Sequence, residues 1–435
     1  MNDKPAKIST QRKVLLKRRH PSAKLERLAI NQLKQGKLPY ALASYMELAK
    51  KFPKVLAYHI QYSAILYYLG KREAARKAID KGVAIRPYLF KPTTPDPEGK
   101  ILRLRGVQKA FFTLDHIGPA YEVKVTGGGF STAHLMDLGR FWSIDYLVSH
   151  GNLPADRRLP SFDIIVNSIA DADVEDDSLK TISDFAKMNP DRPLINAPDR
   201  VMQTTRDSNY RRLKDIEGII FPKTYRHACG NFSLDELDRF VQAGDLSFPF
   251  LVRESGTQSG KSFDLVASLE ALQGRLEKPI QGDYYLIEFI EEKFREKYFR
   301  KIRFFCIDGK LYPVVCHVDQ IWNVHGFNRL QFMAANEWMV DEEKRFLSDP
   351  KGYLGKDIYD RIRSLYEIVG LDFYGLDFTV TGQGDVLIYE LNPAMRHSFD
   401  HAKNFPYMGR HMQNISDAFN DMIVSRLGRL KLPAT

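Results

Sequence analysis

The segment 370–397, GLDFYGLDFTVTGQGDVLIYELNPAMRH, most constrains what this chain can fold into, because two apolar runs of strand length flank Gly382 and Gly384. The pattern predicts two short strands paired across a turn. Asp377 sits on the first strand, and Glu390 and Asn392 sit on the second. Side chains two apart on a strand share a face, so Glu390 and Asn392 point the same way and Asp377 can lie across from them. Carboxylates in a run as apolar as VLIYELNP cost free energy unless a cation neutralises them. A Mg²⁺ ion, which takes one or two carboxylates plus phosphate oxygens, would do so. A salt bridge serving structure alone is the competing explanation.

Two earlier stretches carry matching chemistry. FPFLVRESGTQSGKSFDLV reads as strand, loop, strand, with Arg253 closing the first strand. Gly256 and Gly260, with Thr257, Ser259 and Ser262, form a loop whose N–H groups and hydroxyls suit phosphate, although such a loop taken alone reads as a plain surface turn. YYLIEFIEE then gives a strand, and YFRKIRFFCIDGKLYPVVCHV gives a hairpin turning at Asp308-Gly309. Lys301 and Arg303 share one face of that hairpin, with His317 near the matching end of the opposite strand. Whether those two cations are solvated or functional stays open at this level. The nearby Trp322 is open in the same way, between shaping a pocket with Gln320, Asn323 and His325 and simply packing.

The front of the chain has a different character. Gly36, Lys37, Ala41 and Pro53 recur as Gly70, Lys71, Ala75 and Pro87, each 34 residues on. That is the tetratricopeptide period of two helices joined at a Gly-centred turn. Ala29, Ala41, Ser63 and Ala75 allow close helix approach, and Leu25, Leu28, Leu33, Tyr45, Tyr62, Ile65 and Leu69 are the expected buried seam. Two repeats are fewer than the roughly three that stand alone, so they are expected to dock on the domain C-terminal to them. A peptide or protein client is one role for them; extending the catalytic body is the other.

The length of 435 residues calls for several domains. The expected layout is a basic tail over 1–20, helical repeats over 21–88, a linker over 89–106, an α/β layer over 107–200 and the chemistry-bearing body over 201–435. Pro87, Pro92, Pro95, Pro97 and Gly99 motivate the linker. KAFFTL, FDIIVNSI and PLINA, alternating with SLKTISDFAKM, motivate the layer. Gly127-Gly128-Gly129 lacks the spacing of a dinucleotide fingerprint and is expected to be a turn. No run of about 18 apolar residues implies a membrane span. Cys229, Cys306 and Cys316 show no disulfide or zinc spacing, which fits a reducing cytoplasm. Much of the net charge of +10 lies in the first 24 residues, and without interleaved aromatics it does not point to nucleic acid.

From about residue 162 to residue 427 the order of motifs resembles the ATP-grasp superfamily, as in D-alanine–D-alanine ligases, glutathione synthetases and ribosomal-protein glutamate ligases. LVRESGTQSGKSF, LIEFIEE, YFRKIRFFCIDGKLYPVV and YELNP carry the likeness, with LINAPDRVMQTTRDSNYRRL and GIIFPKTYRH leading into it. With the leading repeats, the chain looks like a bacterial subgroup that joins tetratricopeptide repeats to ATP-grasp. The resemblance implies an α+β fold: two ATP-grasp subdomains enclosing ATP, an α/β pre-grasp domain and the all-α module in front. It implies that Arg253, where the superfamily usually has Lys, holds phosphates together with Ser255, Gly256, Thr257, Ser259, Gly260, Lys261 and Lys301. Glu288, Phe289 and Ile290 would meet adenine, and Glu291 or Glu292 the ribose. Arg303 would stabilise the transferring phosphoryl group, and Asp377, Glu390 and Asn392 would hold Mg²⁺. Arg396, His397, His317 and His325 are the candidates for substrate contact. Many members of the superfamily form dimers, so a homodimer is one arrangement the resemblance admits.

The leading expectation is therefore an ATP- and Mg²⁺-dependent carboxylate–amine ligase acting through an acyl phosphate on an amino acid or peptide. The alternatives are a phosphotransferase on the same fold and a repeat-based adaptor with a vestigial nucleotide site. The intact Asp377–Glu390–Asn392 set disfavours the adaptor.

Overall fold

The structure, a computed structural model, describes residues 21–118, 120–149, 159–257, 263–280 and 282–430. The basic tail lies outside them. The chain forms two compact units, one of residues 1–89 and 110–127 and a second of residues 90–109 and 128–435.

The first unit opens with four helices, Ala23–Lys34, Leu38–Lys51, Leu56–Tyr68 and Arg72–Ile85. The two repeat turns close identically. Lys37 N–H donates to Gln32 O at 2.9 Å, and 34 residues on Lys71 N–H donates to Leu66 O at 2.9 Å. Gly36 (φ +70°) and Gly70 (φ +78°) take the left-handed conformation this closure requires. Ala29, Leu33, Tyr45 and Ile65 are buried as expected, but Leu28 and Leu69 are 50% and 40% exposed. Ala29 and Leu33 hold the inward stripe of their helix, which turns Leu28 outward, and Leu69 falls past the last helical residue.

The chain leaves this unit through β1 (Tyr88–Lys91) and β2 (Gly99–Gly106), then returns to it as the hairpin of β3 (Phe111–Ile117) and β4 (Ala120–Thr126). Tyr67 stacks on Phe111 at 4.4 Å, and Tyr68 meets Tyr121 edge-on at 5.4 Å. The hairpin thus covers the second repeat, and KAFFTL belongs to the helical unit rather than to the α/β layer. The expected linker is also corrected. All eight residues of β2 pair in parallel register with β5 (Phe141–Val148). The prolines end at Pro97, and the alternating cations of KILRLRG conceal a strand whose Arg103 is held by Asp145 at 2.6 Å.

The second unit contains three sheets. The first runs β1-β5-β2-β6-β7, with β6 (Ile164–Asn167) and β7 (Leu194–Ile195) parallel to β2. The second, antiparallel, is ordered β11-β10-β12-β9, from β9 (Thr224–Ala228), β10 (Phe250–Glu254), β11 (Phe263–Val266) and β12 (Asp283–Glu288). Alternation sends Phe250, Val252, Tyr284 and Leu286 into a core with Leu237, Val241 and Leu272 from the helices Leu234–Ala243 and Leu269–Leu276. Leu251, Arg253, Tyr285 and Ile287 are left on the other face.

The third sheet is ordered β14-β13-β15-β16-β8, where β8 is Ile219–Ile220, β13 Phe299–Ile307, β14 Lys310–Asp319, β15 Phe373–Val380 and β16 Val386–Asn392. Its hairpin turn has Asp308 at φ +48° and Gly309 at φ +76°, matching the expected Asp-Gly turn. The register slips between Arg303 and Phe304 and again between Asp377 and Phe378. Such irregularities bend a strand and re-aim its side chains.

Asn196 fastens β15 in place. Its Nδ2 donates to Phe373 O at 2.8 Å, and its Oδ1 accepts from Phe373 N–H at 2.9 Å, so one amide side chain replaces a strand neighbour. The left-handed backbone (φ +58°) suits Asn. Asn196→Ala should destabilise the second unit by about 3 kcal/mol, since it leaves buried backbone groups unpaired. Asn196→Asp, which keeps the acceptor, should lie between the two. All three tryptophans (Trp142, Trp322, Trp338) lie in this unit, so their fluorescence during denaturant unfolding checks both outcomes.

Candidate functional site

A cavity of about 530 Å³ lies between the antiparallel four-stranded sheet and the β13–β15–β16 face, within the size range of small-molecule sites. One end is apolar, where Leu251, Ile287, Phe289 and Trp322 pack together. Phe289 and Trp322 meet edge-on at 5.4 Å, so Trp322 both packs and lines the cavity. Phe289 and Ile290 follow the last residue of β12, outside its ladder, and line the cavity beside Glu288. Peptide groups not used by a ladder need other partners, and a flat heterocycle edge can supply them. Glu288 accepts from Lys223 N–H at 3.0 Å. Glu291 instead pairs with Lys293 at 3.5 Å, and Glu292 accepts from Gly382 N–H at 3.1 Å; neither lines the cavity, so the ribose expectation is not met by this geometry. Both follow the chain away from the wall once the strand has ended.

The other end is charged. Arg303 grips Asp377 with two parallel bonds of 2.6 and 2.7 Å, and Lys301 stands 3.6 Å from the same carboxylate. Across the β15–β16 pairing, Asp377 is opposite Glu390. Arg206 reaches Glu390 at 3.0 Å and the Tyr389 carbonyl at 3.2 Å. Arg253, 6% exposed, lines the same space, donates to the Thr257 carbonyl and lies 4.7 Å over the Phe263 ring. Four cations therefore surround two carboxylates. Asn392 Nδ2 bonds Glu390 at 3.2 Å, so the two share a face.

The titration behaviour follows from this crowding. Burial works to raise the Asp377 carboxyl, but Arg303 and Lys301 outweigh it and hold it below its ordinary value. Glu390 is likewise pushed up by burial and brought below its ordinary value by Arg206 and Arg253. Burial and neighbouring Arg206 lower Arg253 to about 10. Burial also lowers Lys301, with Arg303 adding to the effect and Asp377 opposing it. The surplus of positive charge in a partly dry space favours an anionic ligand.

Among the described residues, no three His, Cys, Asp or Glu side chains gather as a metal centre. Magnesium needs only one or two carboxylates when phosphates complete its shell, so Asp377, Glu390 and Asn392 fit it in that company. Both Asp377 oxygens are otherwise engaged by Arg303, which a polyphosphate would have to draw off.

Not every expected residue is in place. Ser259, Gly260 and Lys261 lie outside the described residues. Ser255 is tied to Asp283, its Oγ accepting from Asp283 N–H at 3.2 Å. Gly256 and Thr257 line a side chamber of about 50 Å³ that also meets Arg206, Arg253 and Glu390. Gly256 (φ +66°) must be glycine, because a Cβ there would approach Val174 to 2.3 Å. His317, opposite Lys301, and His325 and Arg396 line the main cavity, and Arg396 also pairs with Asp400 at 2.6 Å. His397 is a correction: it is buried, bonded to Ser416 Oγ at 3.1 Å, and packed against Phe305 and Phe399. The turn after Asn392 aims it into the core.

Arg206 escaped the sequence reading. Its signal is local: it opens a helix, where the macrodipole disfavours a cation. Asp173 was missed too; it accepts from Tyr285 Oη at 2.8 Å and pairs with Arg226 at 2.6 Å, forming a wall of the side chamber.

No family model matches the chain, and none of the curated proteins matches it. Among solved structures it is similar to the D-alanine–D-alanine ligase from Coxiella burnetii, at 12% identity over 76% of this chain and 96% of that chain, with a TM-score of 0.44. It is similar also to the D-alanine–D-alanine ligase from Bacillus anthracis complexed with ATP, at 12% identity over 76% and 98%, TM-score 0.45. A third is the RimK domain protein ATP-grasp from Sphaerobacter thermophilus, at 15% identity over 64% and 90%, TM-score 0.36. Likeness this distant leaves the chemistry to be read from the side chains.

Asp377 and Glu390 titrate below their unfolded values, so between the two the unfolded state binds more protons and stability rises with pH. Their contribution is complete above the ordinary carboxylate range, near pH ~4, and is lost as pH falls through the lower native values. Asp377→Asn should lower stability at neutral pH, by about 3 kcal/mol for cations left without their partner. It should also flatten the loss on acidification. Denaturant midpoints at neutral pH and near pH ~2 check both; an unchanged acid loss would remove the carboxylate from the account.

Proposed function

We propose that this protein is an ATP- and magnesium-dependent carboxylate–amine ligase of the ATP-grasp type, working in the cytoplasm. One observation carries the reading: four cations (Arg206, Arg253, Lys301, Arg303) against two carboxylates close one end of a cavity whose other end is apolar. A nucleoside triphosphate has that same polarity, a flat apolar base joined to a polyanion. The resemblance of the sequence to ATP-grasp proteins supports the choice of nucleotide and fold.

In this reading the base enters between Ile287, Phe289 and Trp322, and its edge bonds the peptide groups of Phe289 and Ile290. The phosphates draw Arg303 and Lys301 off Asp377, and Arg253 and Arg206 hold the chain from the other side. Magnesium bound by Asp377, Glu390 and Asn392 would neutralise phosphate oxygens. A substrate carboxylate oxygen attacks the terminal phosphorus, and the bond to the ADP oxygen breaks. The amine then attacks the acyl carbon, phosphate leaves with the bonding electrons, and the amine proton passes to solvent. Arg303 is placed to meet charge developing on the transferred group, so catalysis rests on positioning and electrostatics, not on a side-chain nucleophile. The helical unit is assigned a separate task, holding a peptide or protein client.

Thermal melting with ATP, with and without Mg²⁺, tests the site. A ligand that binds only the folded protein stabilises it by about 2.7 kcal/mol at a hundredfold excess over its dissociation constant. The magnesium-dependent part of the rise should vanish in Glu390→Gln, whose fold should survive. Arg303→Lys, which keeps a cation beside the buried Asp377 but loses the planar fork, should cut turnover by up to about 100-fold while nucleotide binding persists. Acceptor-dependent release of both ADP and free phosphate identifies ligation. Phosphate retained on the product would mean phosphotransfer, and no rise with any nucleotide would sink the enzyme reading.

A further inference from the structure

The helical unit has a charge balance unlike that of the rest of the chain. Residues 1–89 and 110–127 hold 21 Lys and Arg against 7 Asp and Glu, a balance of +14, whereas the remainder holds 43 against 47, a balance of −4. Between Lys24 and Lys81, eleven Lys and Arg are exposed, nine of them lysine. Among the described residues only Lys51 of these has an ion-pair partner, Glu47 at 2.5 Å. Uncompensated like charge on so small a body opposes its compactness.

Two of the lysines stand where folding alone would not put them. Lys37 and Lys71 are the N-caps of the second helix in each repeat, both of 14 residues, and neither side chain bonds its helix. An N-cap favours Ser, Thr, Asp or Asn, and the positive end of the macrodipole repels a cation. Arg72 comes directly after Lys71, in the first turn of its helix. The same unfavourable choice is thus made at both repeats. On the helices of the same unit, Leu28, Ile30 and Met46, and Leu69 at the end of the third, are 50%, 37%, 50% and 40% exposed.

We propose that the helical unit is a docking surface for an acidic polypeptide segment that carries interspersed apolar side chains. This deepens the assignment of a client to that unit and does not depend on the nucleotide site. The partner must be anionic, because the surface is cationic and nearly unpaired. Lysine presents a compact point charge rather than the planar fork with which arginine reads phosphate. The exposed aliphatic side chains of these helices outnumber the exposed rings of Tyr40 and Tyr68, so they suit side-chain contact more than base stacking.

The test uses the full chain without nucleotide and measures fluorescence anisotropy of a labelled peptide repeating Glu-Glu-Leu. A peptide repeating Glu-Glu-Ser and a single-stranded oligonucleotide of equal charge serve as competitors. The Glu-Glu-Leu peptide should bind most tightly, and binding should weaken about tenfold or more as salt rises from about 0.1 to about 1 M, which shortens the Debye length from about 10 to about 3 Å. Changing Lys37, Lys71, Arg72 and Lys77 together to Glu should weaken binding about tenfold. Acidic residues at the three helix-start positions agree with the macrodipole and Lys77 is exposed and mid-helix, so the melting temperature should not fall. A second variant with Gln at the four positions should give a smaller loss. An oligonucleotide that competes as well as the peptide would overturn the proposal in favour of nucleic acid. Unchanged affinity in both variants would also overturn it, by moving the binding to another part of the chain.

Discussion

The second unit is organised around a conflict between burial and charge that Arg303 and Asp377 resolve together. Asp377 is 2% exposed, in the middle of a strand whose neighbours are Leu376 and Phe378. Alone, either ion would strongly destabilise that strand; gripped by two short bonds, each makes the other tolerable. Lys301 then stands beside a carboxylate already paired, and Arg206 and Arg253 repeat the excess around Glu390. The opposite side of the sheet is packed with Phe304 and Phe378, stacked at 5.8 Å, with Phe346 edge-on to Phe304 at 5.3 Å, which leaves the backbone there little freedom to relax.

Geometry reinforces the electrostatics. The register slips beside Arg303 and beside Asp377 lie on adjacent strands, so the two halves of the ion pair sit where both ladders are locally interrupted. Asn196 pins Phe373, four residues before Asp377, and so fixes the start of the strand that carries it. Residues far from the cavity in sequence thereby determine the direction in which its charges point.

Much of this was legible beforehand. Alternation along YELNP and FYGLDF placed Asp377, Glu390 and Asn392 on one face because a strand's period of two is unambiguous. The 34-residue repeat forecast its turns down to the glycine. What stayed hidden depended on partners distant in sequence. Arg103 needs Asp145 to make KILRLRG a buried strand instead of a linker, and Arg206 needs Glu390, 184 residues away. His397 looked like a substrate ligand because it comes just after the metal-type motif, but the chain turns inward there and Ser416 claims it. Spacing reveals which residues share a face, not which remote element comes to meet that face.

The return of the chain to the helical unit, after β2 has already joined the parallel sheet, bears on how such a protein can be taken apart or assembled. The unit looks like a prefix but is built from two stretches of sequence, with a strand of the other unit threaded between them. Removing residues 1–89 would strip Tyr67 from Phe111 and Tyr68 from Tyr121 of the hairpin left behind. No single cut in the backbone separates the units cleanly. Genetic exchange of the front helices would have to carry the hairpin with them, and a swap that ended at the last helix would leave an adhesive apolar remnant on the rest of the chain.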